Sequence, residues 1–244
     1  MYFFMVFYLI NSLISNYVLE IRSYYSAIIN CGFLIFSFYL SKKFRIYGIT
    51  GQIASGKSTV SDYLREKYNS CVLDIDKINR EVLEEKEVKN EIRKKFGDSV
   101  FDEFGNLKKL EMRNIIFSDK IKKKQLEKIT HFKVLKKLLI AIIKEKFSNS
   151  NKLIMIENSI LLKIPILKYF CYSIIAVVSS DKNTKIKRIM ERDNIQDRTL
   201  AEKMIDNQTT IEEFNEQANY VILNDDGIEE LKNKVDIFIE NIEI

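Results

Sequence analysis

Proline occurs once in 244 residues and glycine seven times, which leaves little room for extended linkers or a turn-rich β fold. Histidine occurs once, as His131, so a multi-histidine metal site is excluded. Cys31, Cys71 and Cys171 are far apart and odd in number. They match neither a zinc spacing nor a disulfide framework, and are expected as small buried hydrophobes in a reducing environment. No dense basic stripe is present. The net charge of +5 is spread along Lys-rich stretches, which favours anionic small molecules and argues against a nucleic-acid partner. With 46% hydrophobic and 30% charged residues, the chain has the composition of a folded protein, long enough for one sizeable core and an appendage.

The appendage is residues 1–44. Tyr2–Ile10 is almost wholly apolar, and Tyr24–Leu40 carries no charge over seventeen residues before Lys42, Lys43 and Arg45. A spanning helix needs about twenty apolar residues. The second run therefore reads as a membrane anchor, with its flanking cations placing the remainder on the cytosolic side. Two other readings stay open, a targeting segment or cleaved signal and an extension that is dispensable in the cytoplasm.

From residue 45 to 244 apolar stretches with strand and helix periods alternate, the signature of an α/β domain with a parallel sheet. Strands are expected at Arg45–Thr50, Cys71–Asp74, Lys152–Ile156, Ser173–Val178 and Tyr220–Leu223. Helices are expected at Ser58–Tyr68, Lys77–Phe96, Leu107–Phe117, Lys120–Phe147, Lys182–Arg192, Ala201–Phe214 and Ile228–Ile242. Gly97 and Gly105 are expected at helix ends. Val134, Leu135, Leu138, Leu139, Ile142 and Ile143 make a broad apolar face on the fourth helix.

The stretch Gly51-Gln52-Ile53-Ala54-Ser55-Gly56-Lys57-Ser58 fits G-x-x-x-x-G-K-[ST], the phosphate-binding P-loop. Its glycines let backbone N–H groups approach phosphate oxygens without a clashing Cβ. Lys57 supplies a compact charge for the β- and γ-phosphates, and the Ser58 hydroxyl is a ligand for Mg²⁺. The helix that begins there, with Thr59 in its first turn, points its positive end at the same anion. Strand before and helix after make the match credible.

Asp74 and Asp76 close the second strand, expected beside the P-loop strand. Ligands bind beyond the carboxyl ends of strands in open parallel sheets, so one carboxylate is a candidate general base and the other a metal or substrate contact. The plainer alternative is a helix N-cap with a solvated acid. Arg188 and Arg192 share one helix face and suit charge neutralisation during phosphoryl transfer, or else form a solvated basic face. Asn224-Asp225-Asp226-Gly227 reads either as a contact to a base or ribose or as a plain turn. His131 reads as a helix-surface residue or a substrate contact.

Together these residues resemble the dephospho-CoA kinase family from about Ile46 to Ile239. Gly48-Ile49-Thr50-Gly51 running into Gly56-Lys57-Ser58-Thr59 is similar to that family's GLTG…GSGKST. Further likenesses are Asp74-Ile75-Asp76 with Arg80, Phe96-Gly97, Leu126 to His131, Arg188 with Arg192-Asp193, the isolated Gln208, and Ala218 to Asn224. The resemblance implies a P-loop NTPase-type three-layer fold, with a five-stranded parallel sheet, a helical substrate subdomain and a lid. It implies ATP-dependent phosphorylation of the ribose 3′-hydroxyl of dephospho-CoA, with ATP and Mg²⁺. By matched positions Asp76 is the general base and Asp74 supports metal or substrate. Lys57 and Ser58 hold phosphate and Mg²⁺, Arg188 and Arg192 stabilise transferred charge, and Arg80 and His131 are substrate-side residues. There are departures. Phe132 replaces a proline, Asn158-Ser159-Ile160-Leu161-Leu162 stands for P-L-L-F-E, Lys109 replaces an arginine and Asn219 an aspartate. Two further readings remain, a P-loop kinase for another hydroxyl or nucleotide-like acceptor, and a membrane-tethered nucleotide-binding protein without catalysis.

Overall fold

Strand β1 (Ile46–Gly51) is buried at every position, as a strand covered on both faces must be. The computed structural model describes residues 28, 30–32, 35, 45–148, 152–193, 197–206 and 208–243. β1 is the centre of a five-stranded sheet of order β2-β3-β1-β4-β5. The other strands are β2 (Cys71–Asp74), β3 (Ile154–Glu157), β4 (Ser173–Val178) and β5 (Tyr220–Leu223). β3 runs parallel to β1 from Ile46↔Ile154 to Ile49↔Glu157, and β4 flanks the other side from Tyr47↔Ser173 to Gly51↔Val177. β5 is parallel to β4. The helices are α1 (Lys57–Tyr68), α2 (Ile75–Leu83), α3 (Lys86–Phe96), α4 (Lys109–Ser118), α5 (Lys120–Ser148), α6 (Pro165–Phe170), α7 (Lys182–Asp193), α8 (Arg198–Asp206), α9 (Ile211–Gln217) and α10 (Ile228–Glu243).

The strand order corrects one expectation. β2 is not beside β1, because β3 lies between them. Ile154, Met155 and Ile156 are fully buried and need cover on both faces, whereas β2 is only half buried and suits an edge. Sequence adjacency therefore misassigned the neighbour of the P-loop strand.

Side-chain alternation along β1 sorts the layers. Tyr47 and Ile49 enter a cluster with Val60 and Leu64 of α1, Leu231, Val235, Phe238 and Ile239 of α10, and Met155, Ile175, Val177 and Ile222 of the sheet. Gly48 faces the other way, where a Cβ would stand 3.1 Å from Leu161, Cys171 and Ile174 side-chain atoms. Burial there pushes the Cys171 thiol up to about 12. All three cysteines are free as expected. Cys71 and Cys171 are partly exposed, but Cys31 is exposed rather than buried.

The expected helix over Ala201–Phe214 is two helices, α8 and α9. Thr210 starts the second with a reciprocal capping box, accepting from Glu213 N while Glu213 accepts from Thr210 N. Residues Leu73–Ser148 form a separate compact helical unit. Its core joins Val82, Val88, Ile92, Val100, Phe101, Met112 and Ile129. The long charged helix expected from Lys77 breaks at Glu84-Glu85 into α2 and α3, so that Val82 and Val88 both enter this core. Gly97 caps α3 as expected, but Gly105 sits in a turn between the bridged residues Phe101 and Leu107, away from any helix end. On α5, Leu138 and Ile142 are buried while Leu139, Ile140 and Ile143 are exposed, so the apolar face is narrower than its spacing suggests.

Among the described residues no helix is long and apolar enough to cross a membrane. The anchor reading rests on residues 1–44, nearly all of which lie outside the described residues.

Leu64 has no exposed surface and joins α1 to the sheet. Leu64→Ala is expected to lower unfolding stability by about 2–5 kcal/mol. Urea denaturation would report this as a lower midpoint with an unchanged slope.

Candidate active site

β1 ends where its backbone touches β4. Gly51 has φ +143°, and a Cβ there would lie 1.9 Å from the Val177 carbonyl oxygen. Gln52 N then donates to that same oxygen at 3.2 Å, and the chain leaves the sheet. At the far end of the loop Gly56 has φ +100° and opens α1 without any side-chain cap. α1 therefore presents its first-turn N–H groups without a side-chain cap, the arrangement in which a helix N-terminus suits an anion. Between them, Ser55 Oγ and N both donate to Gln52 O, at 2.9 and 3.4 Å. Lys57 folds back over the loop, its Nζ donating to Gly51 O at 3.1 Å and Gln52 O at 2.7 Å. This holds an ammonium at the mouth of the loop, next to exposed Ser58 and half-buried Thr59.

Other elements grip the loop from outside. Asn224, which follows β5, is buried and donates from Nδ2 to Ser55 O at 2.8 Å. Its side chain thus shapes the loop. Arg188 of α7 donates from Nη1 to Ala54 O at 3.1 Å. Arg192 lies one turn further along α7 and is exposed. Gln208 accepts from Ile53 N at 2.7 Å. Beside Asn224, Asp225 accepts from Ser179 Oγ at 2.7 Å and Ser180 N at 3.0 Å. Burial pushes its carboxyl up, but the bonds from Ser180 and Ser179 outweigh it and hold the group below the usual carboxylate range.

The structure adds a residue that sequence reading passed over. Glu157 ends β3, the true neighbour of β1, and its Oε2 accepts from Ser61 Oγ of α1 at 2.7 Å. The apolar run Ile154-Met155-Ile156 ending in an acid was the available signal. Ser58 and Glu157 supply hard oxygen donors. Among the described residues no group of three His, Cys, Asp or Glu side chains converges as a metal cage. One or two protein oxygens, with water and phosphate completing the shell, is a donor set that suits Mg²⁺.

The remaining sequence candidates belong to the helical unit. Asp74 caps α2, its Oδ1 accepting from Lys77 N at 3.0 Å while Oδ2 lies 3.9 Å from Arg80 Nη2. Asp76 is exposed in the first turn of α2, and its backbone carbonyl accepts from Arg80 Nε at 3.3 Å. Asp74, Asp76 and Arg80 are thus brought together at one helix start. His131 is exposed on α5, the helix that packs on α2.

Two of the departures from the family pattern keep the contacts that hold the strands. Asn219 Oδ1 accepts from Ile174 N at 2.9 Å while Asn219 N donates to Ile174 O at 3.0 Å, a pairing that needs only an acceptor oxygen. Asn158 is buried, donates from its N to Ile49 O and accepts from Ile160 N on Oδ1. It makes the turn without proline, and sends Leu161 beneath β1.

A central parallel sheet of this order, with a G-x-x-x-x-G-K-S loop between β1 and α1, defines a P-loop kinase. The dephospho-CoA kinase family model matches residues 45–230. A dephospho-CoA kinase of Fusobacterium nucleatum is 41% identical over 197 residues, covering 81% of this chain and 98% of the relative. A solved protein of Thermus thermophilus overlays with a TM-score of 0.68 at 26% identity, covering 81% of this chain and 97% of its own. A solved dephospho-CoA kinase from Campylobacter jejuni gives 0.54 at 25% identity over the same shares. The chain belongs to the dephospho-CoA kinase family.

At Gly56 a Cβ would meet Asn224 Nδ2 at 2.4 Å, in a backbone conformation side chains rarely adopt. Gly56→Ala is expected to weaken ATP binding by more than about tenfold. Adding Asn224→Ala removes the clash but also the bond to Ser55 O, so calorimetric titration should show no recovery.

Proposed function

We propose that this chain transfers the γ-phosphoryl group of ATP to the ribose 3′-hydroxyl of dephospho-CoA, the last step in making coenzyme A. The observation that carries the reading is the P-loop, gripped by Asn224 and Arg188, in a chain of this family. Lys57 and the first-turn N–H groups of α1 hold the β- and γ-phosphates. Asp76 takes the proton from the 3′-hydroxyl as its oxygen attacks the γ-phosphorus, and ADP departs as the bond to its β-phosphate oxygen breaks. Arg188 and Arg192 neutralise charge on the transferring group, and Asn224 keeps the nucleotide loop in shape. Asp74, bonded to the helix start that bears Asp76, orients the base and supports the metal or the acceptor. Arg80 and His131 are assigned to binding the acceptor. Ser58 and Glu157 would hold Mg²⁺, which would supply neutralising charge to the phosphates. Residues 45–244 are the kinase domain. The apolar run Tyr24–Leu40 with the cations after it supports an anchoring or targeting role for residues 1–44.

The test is acceptor-dependent ADP release by the full chain. Release with dephospho-CoA and not with other hydroxyl acceptors supports the proposal. Turnover of a different acceptor alone, or tight ATP binding without turnover of any, overturns it. Lys57→Ala is expected to lower kcat/KM by about a hundredfold or more. Asp76→Asn is expected to lower kcat by about a hundredfold or more, with ATP affinity nearly unchanged. A change in metal affinity alone would exchange the roles of Asp76 and Asp74.

A further inference from the structure

Two glutamines far apart in the chain hold the phosphate loop by a reciprocal arrangement. Gln52, inside the loop, donates from Nε2 to Thr209 O at 3.3 Å. Gln208, next to Thr209, accepts on Oε1 from Ile53 N at 2.7 Å. Each side chain therefore bonds the backbone adjoining the other. Their remaining amide atoms are also engaged. Gln208 Nε2 donates to Met204 O in α8 at 2.8 Å. Gln52 Oε1 accepts from Lys185 Nζ of α7 at 2.9 Å and from Ser179 N at 3.4 Å. Lys185 is buried and also donates to Ser179 O at 2.7 Å, so it is a fixed strut rather than a mobile surface cation. Burial pulls its ammonium below the usual lysine range, with Asp225 and Asp181 opposing that effect.

Apolar packing reinforces the polar contacts. Ile53 and Ala54 of the loop pack with Ile186, Ile189, Ala201 and Met204 of α7 and α8. The arrangement has two consequences. First, Ile53 N–H, part of the loop whose amides meet phosphate, is committed to Gln208, which restricts the cradle to the remaining amides. Second, α7 carries Lys185, Arg188 and Arg192 together, so locking Gln52 to Lys185 sets where those guanidiniums stand relative to the loop.

We propose that Gln52 and Gln208 act as one clamp that positions the phosphate loop against α7 and α8 and thereby sets the affinity for ATP, with Gln208 a positioning residue that does not itself touch the phosphates. The clamp rests on the reading of this loop as the ATP phosphate site.

The test uses the full chain in four forms: wild type, Gln208→Met, Gln52→Ala and the double variant. Methionine keeps the bulk of Gln208 and removes its acceptor and donor. ATP affinity is measured by calorimetry, and KM for ATP and for dephospho-CoA in steady state. Gln208→Met is expected to weaken ATP binding by roughly tenfold, as loss of a well-formed hydrogen bond does, and to raise KM for ATP with KM for dephospho-CoA unchanged. The double variant is expected to be no weaker than the worse single variant by more than about twofold, because the two glutamines act as a unit. Melting without ligand checks that each variant is folded, and Gln208→Ala replaces any that is not. Unchanged ATP affinity in Gln208→Met, effects that add in the double variant, or equal rises in both KM values overturn the clamp. A wild-type chain that binds no ATP overturns the kinase reading and the clamp with it.

Discussion

The backbone of β1 runs so close to that of β4 at Gly51 that a Cβ would fall 1.9 Å from the Val177 carbonyl oxygen. Everything about the loop follows from that approach. Gln52 N reaches the same carbonyl, the chain is forced out of the sheet at its carboxyl edge, and the next residues have no strand partner to satisfy them. A glycine-containing loop that runs into a helix start with no side-chain cap suits an anion by electrostatics. The buried strands on either side, β3 and β4, make the approach rigid, because neither can shift without opening a close-packed core.

The loop is then held in shape by residues from three later elements. Asn224 grips Ser55 O across 169 residues of sequence, Arg188 reaches Ala54 O across 134, and Gln208 takes Ile53 N across 155. These are the long-range bonds that make a flexible glycine-containing stretch a preorganised site, which is what phosphoryl transfer asks of a protein. They also show why a P-loop motif is only part of a P-loop. Carbonyls left inward by the turn need donors, and the donors come from wherever the fold delivers them.

Substitution within the family pattern is tolerated where the contact needs only one chemical property. Asn219 keeps an acceptor for Ile174 N and Asn158 builds its turn through Ile160 N, so neither the aspartate nor the proline is required to hold the sheet. Lys57, by contrast, combines charge, length and three donors at the loop mouth, and no other residue on the loop duplicates it.

The phosphate loop, the parallel α/β architecture, all five strands to within a residue or two, and the family itself were legible in the chain, because short-range rules govern them. Glycine spacing, apolar runs and the motif between strand and helix are local. What was not legible depended on which strand lies beside which. β3 rather than β2 flanks β1 because complete burial of Ile154–Ile156 demands an interior place in the sheet, and that paired Glu157 with Ile49 of the loop strand. The breaks at Glu84-Glu85 and before Thr210 were hidden inside uniform helical propensity, where packing and capping decide. Sequence by itself determined that this chain carries the P-loop pattern over Gly51–Ser58, between a strand and a helix. Only the tertiary structure decided which side chains hold that loop, because Lys185, Gln208 and Asn224 each reach it from far along the chain and carry no spacing that points to it.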